Sequence, residues 1–372
     1  MSDLPNETPV LAQVKTKFPP CCLQLNKNAD TIIVGTYDLE KPTGLRYGTL
    51  ERYDIKKDHG GNYKFNLIEE VFNIENEISK TKMSAILDIK IIRQFETEDE
   101  IPFITCHSTG CLNFWVFKKI DNQIKFLDSI QVNDDDSILI TSLHIKNTSN
   151  QSSLKILCTS TDGSSAIISF DNCNGNHKID YVGECHDLEC WTGEFGKNSV
   201  LENCFFTGGD DSTIKLFDAR QSLDTSVWSN SRLHDAGVVA IKTNSSGSFN
   251  VGNSNTIITG SYDDNIRMFD LRMLGNDIYP GKMPPTAIKN KNLEGGVWRL
   301  LDTDISDELL VCCMYNGAKT VKLNYGDENT AFVETNYIKK GHESMCYGGD
   351  FQNGIIATCS FYDNSLQLWI KK

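Results

Sequence analysis

The chain has 372 residues, 39% of them hydrophobic and 23% charged, and its 50 acidic against 36 basic side chains give a formal net charge of −14. That length exceeds one ordinary globular core and calls for two domains or one large closed β architecture. The acidic balance, with no local basic patch, repels a phosphate backbone and excludes a nucleic-acid partner. No apolar run is long enough to cross a bilayer, and the N-terminal MSDLPNETPVLAQ is neither basic nor apolar, so no membrane partner and a cytoplasmic location are expected. Thirteen cysteines, an odd number without CxxC spacing or clustering with histidines, point to reduced and mostly buried thiols, with no metal site and no disulfide framework.

The first apolar alternation, PVLAQVKTKF at about 9–18, predicts a strand. After it one motif recurs: a strand, a turn rich in Asp and Asn, then a strand of alternating apolar and polar residues ending in an aromatic. Copies end at Tyr53, Trp115, Phe170, Phe217 (GGDDSTIKLF), Phe269 (GSYDDNIRMF), Asn324 and Trp369 (SFYDNSLQLW). The spacing, roughly 45 to 62 residues, is that of propeller blades. Seven copies predict an all-β, seven-bladed β-propeller filling residues 1–372 as a single domain. The chain ends just after the third strand of the last blade, so the N-terminal strand is expected to supply the fourth and leave no open sheet edge. Two stretches rich in Ser, Gly, Asn or Pro, about 244–255 and 273–292, read as surface loops inserted between strands.

Near the C-terminus His342, Ser360 and Asp363 have the side chains of a hydrolase triad. The blades, however, resemble the WD-repeat family, in which a His before the first strand, a Ser or Thr on the second, an Asp in the next turn and a Trp on the third bond to one another. His342, Ser360, Asp363 and Trp369 match those places, and His234, Ser261 and Asp263 repeat them with Phe269 in place of Trp. A catalytic triad has no reason to recur, so both sets are expected to be structural clamps. No G-x-S-x-G, H-E-x-x-H, P-loop or G-x-G-x-x-G motif is present.

FTGGDDSTIKLFDAR, ITGSYDDNIRMFDLR, EGGVWRL, CCMYNG, HESMCYGGDF and IATCSFYDNSLQLW, in this order, resemble the diphthine methyl ester hydrolases, the WD-repeat enzymes of diphthamide biosynthesis. The likeness is strong over residues 185–370 and weak in the first three blades. It implies a partner, translation elongation factor 2, on which a modified histidine ends in a trimethylammonium centre and a methylated carboxylate. The implied reaction is hydrolysis of that ester to diphthine and methanol, before amidation to diphthamide, by a monomer without a cofactor. The rival reading is a non-catalytic scaffold presenting elongation factor 2 to other diphthamide enzymes.

First strands of propeller blades line the central channel. Three of them carry an aromatic near the start, Trp191, Trp298 and Tyr347, and two share an acid, Glu194 and Asp350. Aromatic faces and carboxylates suit a quaternary ammonium, which cannot donate hydrogen bonds, although each aromatic can equally be blade core. Arg299 can partner an acid or fork onto the substrate carboxylate. For the chemistry, Cys346 with His342 as base, Asp350 activating a water, and His107 as a spare base on a turn are the candidates, none of them carried by a known motif.

Overall fold

The computed structural model describes residues 7–75, 80–147, 152–171, 176–197, 201–243, 256–271, 289–324 and 332–371, which form strands with no α-helix. Seven four-stranded antiparallel sheets are present, the content of a seven-bladed β-propeller fold. The strands fall into two compact units.

The first unit, residues 1–140 and 336–372, holds three sheets. Sheet 1 comprises Pro20–Leu25, Thr31–Thr36, Leu50–Lys57 and Tyr63–Val71; sheet 2 comprises Ile86–Ile91, Glu100–His107, Cys111–Lys118 and Gln123–Gln131. Sheet 7 joins Cys346–Gln352, Ile355–Ser360 and Ser365–Ile370 to the N-terminal Val10–Lys15, which pairs antiparallel with the last strand, Val10 opposite Trp369 and Lys15 opposite Ser365. The chain's beginning thus completes the sheet that its end leaves one strand short. Alternating apolar residues interlock between sheets 7 and 1, among them Leu25, Ile32, Val34, Ala357 and Leu368, and between sheets 1 and 2, among them Ile33, Ile89 and Trp115.

The second unit, residues 141–335, holds most of four sheets. Their first strands are Ile140–Asn147, Cys190–Phe195, Val238–Thr243 and Arg299–Asp302, opening sheets 3, 4, 5 and 6. Lys289–Asn292 is the fourth strand of sheet 5, so the loop expected over 273–292 ends earlier than the sequence suggested. These residues alternate Lys and Asn, which hides a strand from a hydrophobic pattern. The remainder of that stretch through residue 288, and all of 244–255, lie outside the described residues.

Two local features position the functional side chains. The turn after the second strand places one residue in the left-handed region in sheets 2, 3, 4, 5 and 7: Gly110 (φ 71°), Gly163 (φ 82°), Ser212 (φ 60°), Asp264 (φ 66°) and Asn364 (φ 53°). Gly, Asn and Asp tolerate that conformation best, which is why the repeats show them there. The second feature is a β-bulge at the start of first strands: the register slips between Cys190 and Thr192, between Val238 and Ala240, and between Cys346 and Gly348. A bulge re-aims the extra residue. That residue is Trp191 in sheet 4 and Tyr347 in sheet 7.

Candidate functional site

The expected clamps form in part, because the histidines bond a different hydroxyl. In sheets 5 and 7 they make no hydrogen bond to Asp263 or Asp363: His234 Nδ1, His342 Nδ1 and Asp363 Oδ1 have no partner among the described residues. His342 Nε2 lies 2.7 Å from Thr358 Oγ1, and the Trp369 indole N–H donates to the same oxygen at 2.9 Å. Ser360, expected in that place, has a buried Oγ without a partner. In sheet 5 His234 Nε2 meets Thr259 Oγ1 at 2.8 Å, while Ser261 donates to the Ala236 carbonyl. The hydroxyl sits two residues deeper along the strand, where one oxygen can reach the imidazole. Asp363 accepts from the Glu343 N–H, and Asp263 accepts from the Asp235 N–H and pairs with Arg267 at 2.8 Å. Sheet 4 has a third clamp, His186 to Thr207 at 2.9 Å and to Asp211 at 3.0 Å. Its signal was in the sequence: His186, His234 and His342 each stand four residues before a first strand.

The proposed acid–base residues are built into the scaffold. His107 is not on a turn but is the last residue of the strand Glu100–His107 and fully buried. Its Nε2 meets Thr105 Oγ1 at 2.7 Å, which accepts the Trp115 indole at 2.8 Å, so His107 is the clamp histidine of sheet 2. Burial pushes His107 and His342 down to about 4, which keeps both neutral. Cys346 is a buried thiol opposite Ser360, and His342 turns its Nε2 to Thr358. Asp350 accepts the Leu25 and Phe351 N–H groups at 2.8 and 2.9 Å and pairs with Arg93 at 3.4 Å. Burial pushes its carboxyl up, against the lowering charge of Arg93. Glu194 pairs with Lys197 at 3.1 Å. Neither acid has Arg299 as its ion-pair partner.

Trp191 and Trp298 do meet: their ring centroids are 5.8 Å apart, edge to face. The third ring against Trp298 is Tyr262, stacked at 5.9 Å, whereas Tyr347 packs on Phe361 at 5.0 Å within the first unit. Tyr262 stands directly before the clamp Asp263, at the place that Asp210 takes before Asp211; that correspondence between repeats was its signal. With centroids under 6 Å apart nothing fits between these rings, so they make a continuous half-buried platform rather than an open box.

Charged groups border the platform. The Trp191 indole N–H donates to Asp210 Oδ1 at 3.0 Å, and the Asp210 N–H donates to the Glu189 carbonyl at 2.8 Å. The Arg299 guanidinium stands 5.6 Å from the Trp298 ring centroid. Burial, helped by the charges of Asp210 and Glu189, pushes the Tyr262 phenol well above its ordinary value, so it remains an O–H donor. The exposed Tyr315 ring lies nearby. Such a site offers π faces and carboxylates to a cation, and a guanidinium and a phenol to an anionic or carbonyl oxygen. A cavity of about 380 Å³ in the first unit, lined by Glu70, Phe72, Asn73, Trp115 and Phe126 among others, offers rings and a carboxylate but neither a guanidinium nor a phenol.

Comparison with known proteins agrees with this fold and extends it. Residues 229–270 match the WD domain, G-beta repeat model. A chain of the crystal structure of the mitotic checkpoint complex superposes with a TM-score of 0.64 over 100% of this chain and 93% of its own, at 12% identity, a likeness of fold alone. The Saccharomyces cerevisiae diphthine methyltransferase is 41% identical over 98% of both chains. The Schizosaccharomyces pombe protein of that name is 30% identical, covering 91% of this chain and 90% of its own. The chain therefore belongs to the WD-repeat family of these diphthine methyltransferases, enzymes of diphthamide synthesis.

Proposed function

We propose that this protein hydrolyses the methyl ester of methylated diphthine on translation elongation factor 2, giving diphthine and methanol before amidation. The observation that carries the reading is the platform of Trp191, Tyr262 and Trp298 with Asp210 on its edge. A trimethylammonium group has no hydrogen to donate and is attracted by ring faces and carboxylates. In the substrate the ammonium and the ester end the same side chain, so rings that hold the first leave the second at their polar border. The relatives' name speaks of diphthine and a methyl group. Hydrolysis is preferred to methyl transfer because the sequence has none of the glycine-rich strand-to-helix loops that commonly cradle a nucleotide-like donor. Acting on a translation factor, the protein belongs in the cytoplasm.

The test is to mix purified protein with methylated elongation factor 2, without additives, and follow the factor by mass spectrometry. Loss of one methyl group with release of methanol is expected. A methyl gain that requires S-adenosylmethionine would replace hydrolysis by transfer. Stable binding with no mass change would favour the scaffold reading.

A further inference from the structure

Sheet 4 carries two adjacent aspartates with opposite orientations. Asp211 turns to His186 and completes a clamp, and its counterparts Asp263 and Asp363 accept the backbone N–H next to their clamp histidines. Asp210 is not needed there. It turns to the aromatic platform, where the Trp191 indole N–H holds Oδ1 and the backbone N–H is tied to Glu189; Oδ2 has no hydrogen bond among the described residues.

Asp210 and Tyr262 converge on one point. A Cβ placed on Gly237 would lie 2.8 Å from Asp210 Oδ1 and 3.1 Å from Tyr262 Cδ2, so the carboxylate and the ring occupy the space that any side chain would take. The φ of Gly237 is not in the left-handed region, so space alone calls for glycine. Its carbonyl also accepts the Tyr262 N–H at 3.1 Å, which fixes the turn carrying the phenol. Arg299 completes the border from sheet 6, beside Trp298.

We infer that Asp210 is the general base of the ester hydrolysis, and that the Tyr262 hydroxyl and the Arg299 guanidinium receive the oxyanion. This rests on the hydrolase reading above. A water between Asp210 Oδ2 and the substrate attacks the ester carbonyl carbon, and its proton passes to Asp210. The carbonyl π pair moves onto oxygen, where Tyr262 and Arg299 stabilise it. Collapse of the tetrahedral intermediate breaks the acyl carbon–methoxy bond, and the leaving methoxide takes the proton from Asp210. The products are methanol and a carboxylic acid, which loses its own proton to solvent. No oxidant, reductant or metal is needed for the balance.

Single-turnover hydrolysis of methylated elongation factor 2 tests the assignment. Asp210→Asn keeps an acceptor for the Trp191 indole, so the rings stay in place; its rate at saturating methylated factor should fall by about 10²–10⁴, a condition under which the weaker binding caused by losing a carboxylate beside the cation does not enter. Tyr262→Phe keeps the ring and removes only the hydroxyl; its rate should fall by about 10². Asp224→Asn, which neutralises an exposed carboxylate hydrogen-bonded to Ser222 and outside the platform, should stay within about threefold of wild type. Melting temperatures of all three confirm folding. A wild-type rate in Asp210→Asn overturns the base assignment and leaves the hydrolase reading standing. Wild-type protein that releases no methanol overturns both.

Discussion

His342 and Thr358 share a hydrogen bond of 2.7 Å, and the Thr358 hydroxyl also accepts the Trp369 indole N–H. One oxygen therefore ties an imidazole to an indole, and burial keeps that imidazole neutral. Sheet 2 repeats the arrangement with His107, Thr105 and Trp115. Recurrence in separate sheets marks a structural element rather than a reaction centre.

Thr358→Val should accordingly cost about 2–4 kcal/mol in denaturant unfolding, because it leaves two buried polar groups unsatisfied. Ser360→Ala removes a hydroxyl without a partner and should change stability by less than about 0.5 kcal/mol. Equal losses in the two variants would return the clamp to Ser360.

The buried histidines also set a pH dependence. Burial lowers His107 and His342 to about 4 and His234 to about 3, below the unfolded value of about 6.5. Between those limits the unfolded chain binds more protons, so stability is full above about pH 6.5 and declines as pH falls towards 4. Each histidine should account for about 2 kcal/mol lost between pH 7 and pH 5. Unfolding curves of wild type and of His107→Gln at both pH values check this; the variant should show the smaller decline. Parallel declines would remove His107 from the account.

Removing residues 1–17 deletes the strand Val10–Lys15 and bares the edge of Ser365–Ile370. An unpaired edge invites pairing with another copy. The truncated protein should melt earlier and elute in light scattering as oligomers. A monomer with an unchanged melting temperature would contradict the closure by that strand.

Cys346 is fully buried at the start of its strand, and the nearest candidate base is committed to Thr358. Cys346→Ala should keep ester hydrolysis within about threefold of wild type, measured on folded protein. A loss beyond tenfold would restore a thiolate nucleophile.

Trp298→Leu keeps an apolar side chain but removes the π face between Tyr262 and Arg299. Loss of one ring contact at roughly 0.5–2 kcal/mol should weaken binding of the trimethylammonium substrate about tenfold. An analogue with a neutral tert-butyl group should bind wild type less well, and the gap should narrow in the variant, which keeps Trp191, Tyr262 and Asp210. Equal binding of both analogues by wild type would assign the rings to packing.

The repeat, its period and its Asp- and Asn-rich turns were legible because they are local. Strand alternation follows from the two-residue period of the side chains, and residues such as Asn364 and Asp264 mark the left-handed turn position without reference to any neighbour. The unfinished last blade was equally legible, since counting strands assigns Val10–Lys15 to the edge of Ser365–Ile370. Partners across sheets were not. The Thr358 hydroxyl rather than Ser360 reaches the imidazole, Tyr262 stacks on Trp298, and Asp350 is neutralised by Arg93, 257 positions away in the chain. Hydrogen bonds and ring contacts act over a few ångströms, so which side chains they join depends on how neighbouring sheets pack. Sequence spacing names the residue types on a strand, and the tertiary fold selects which of them touch.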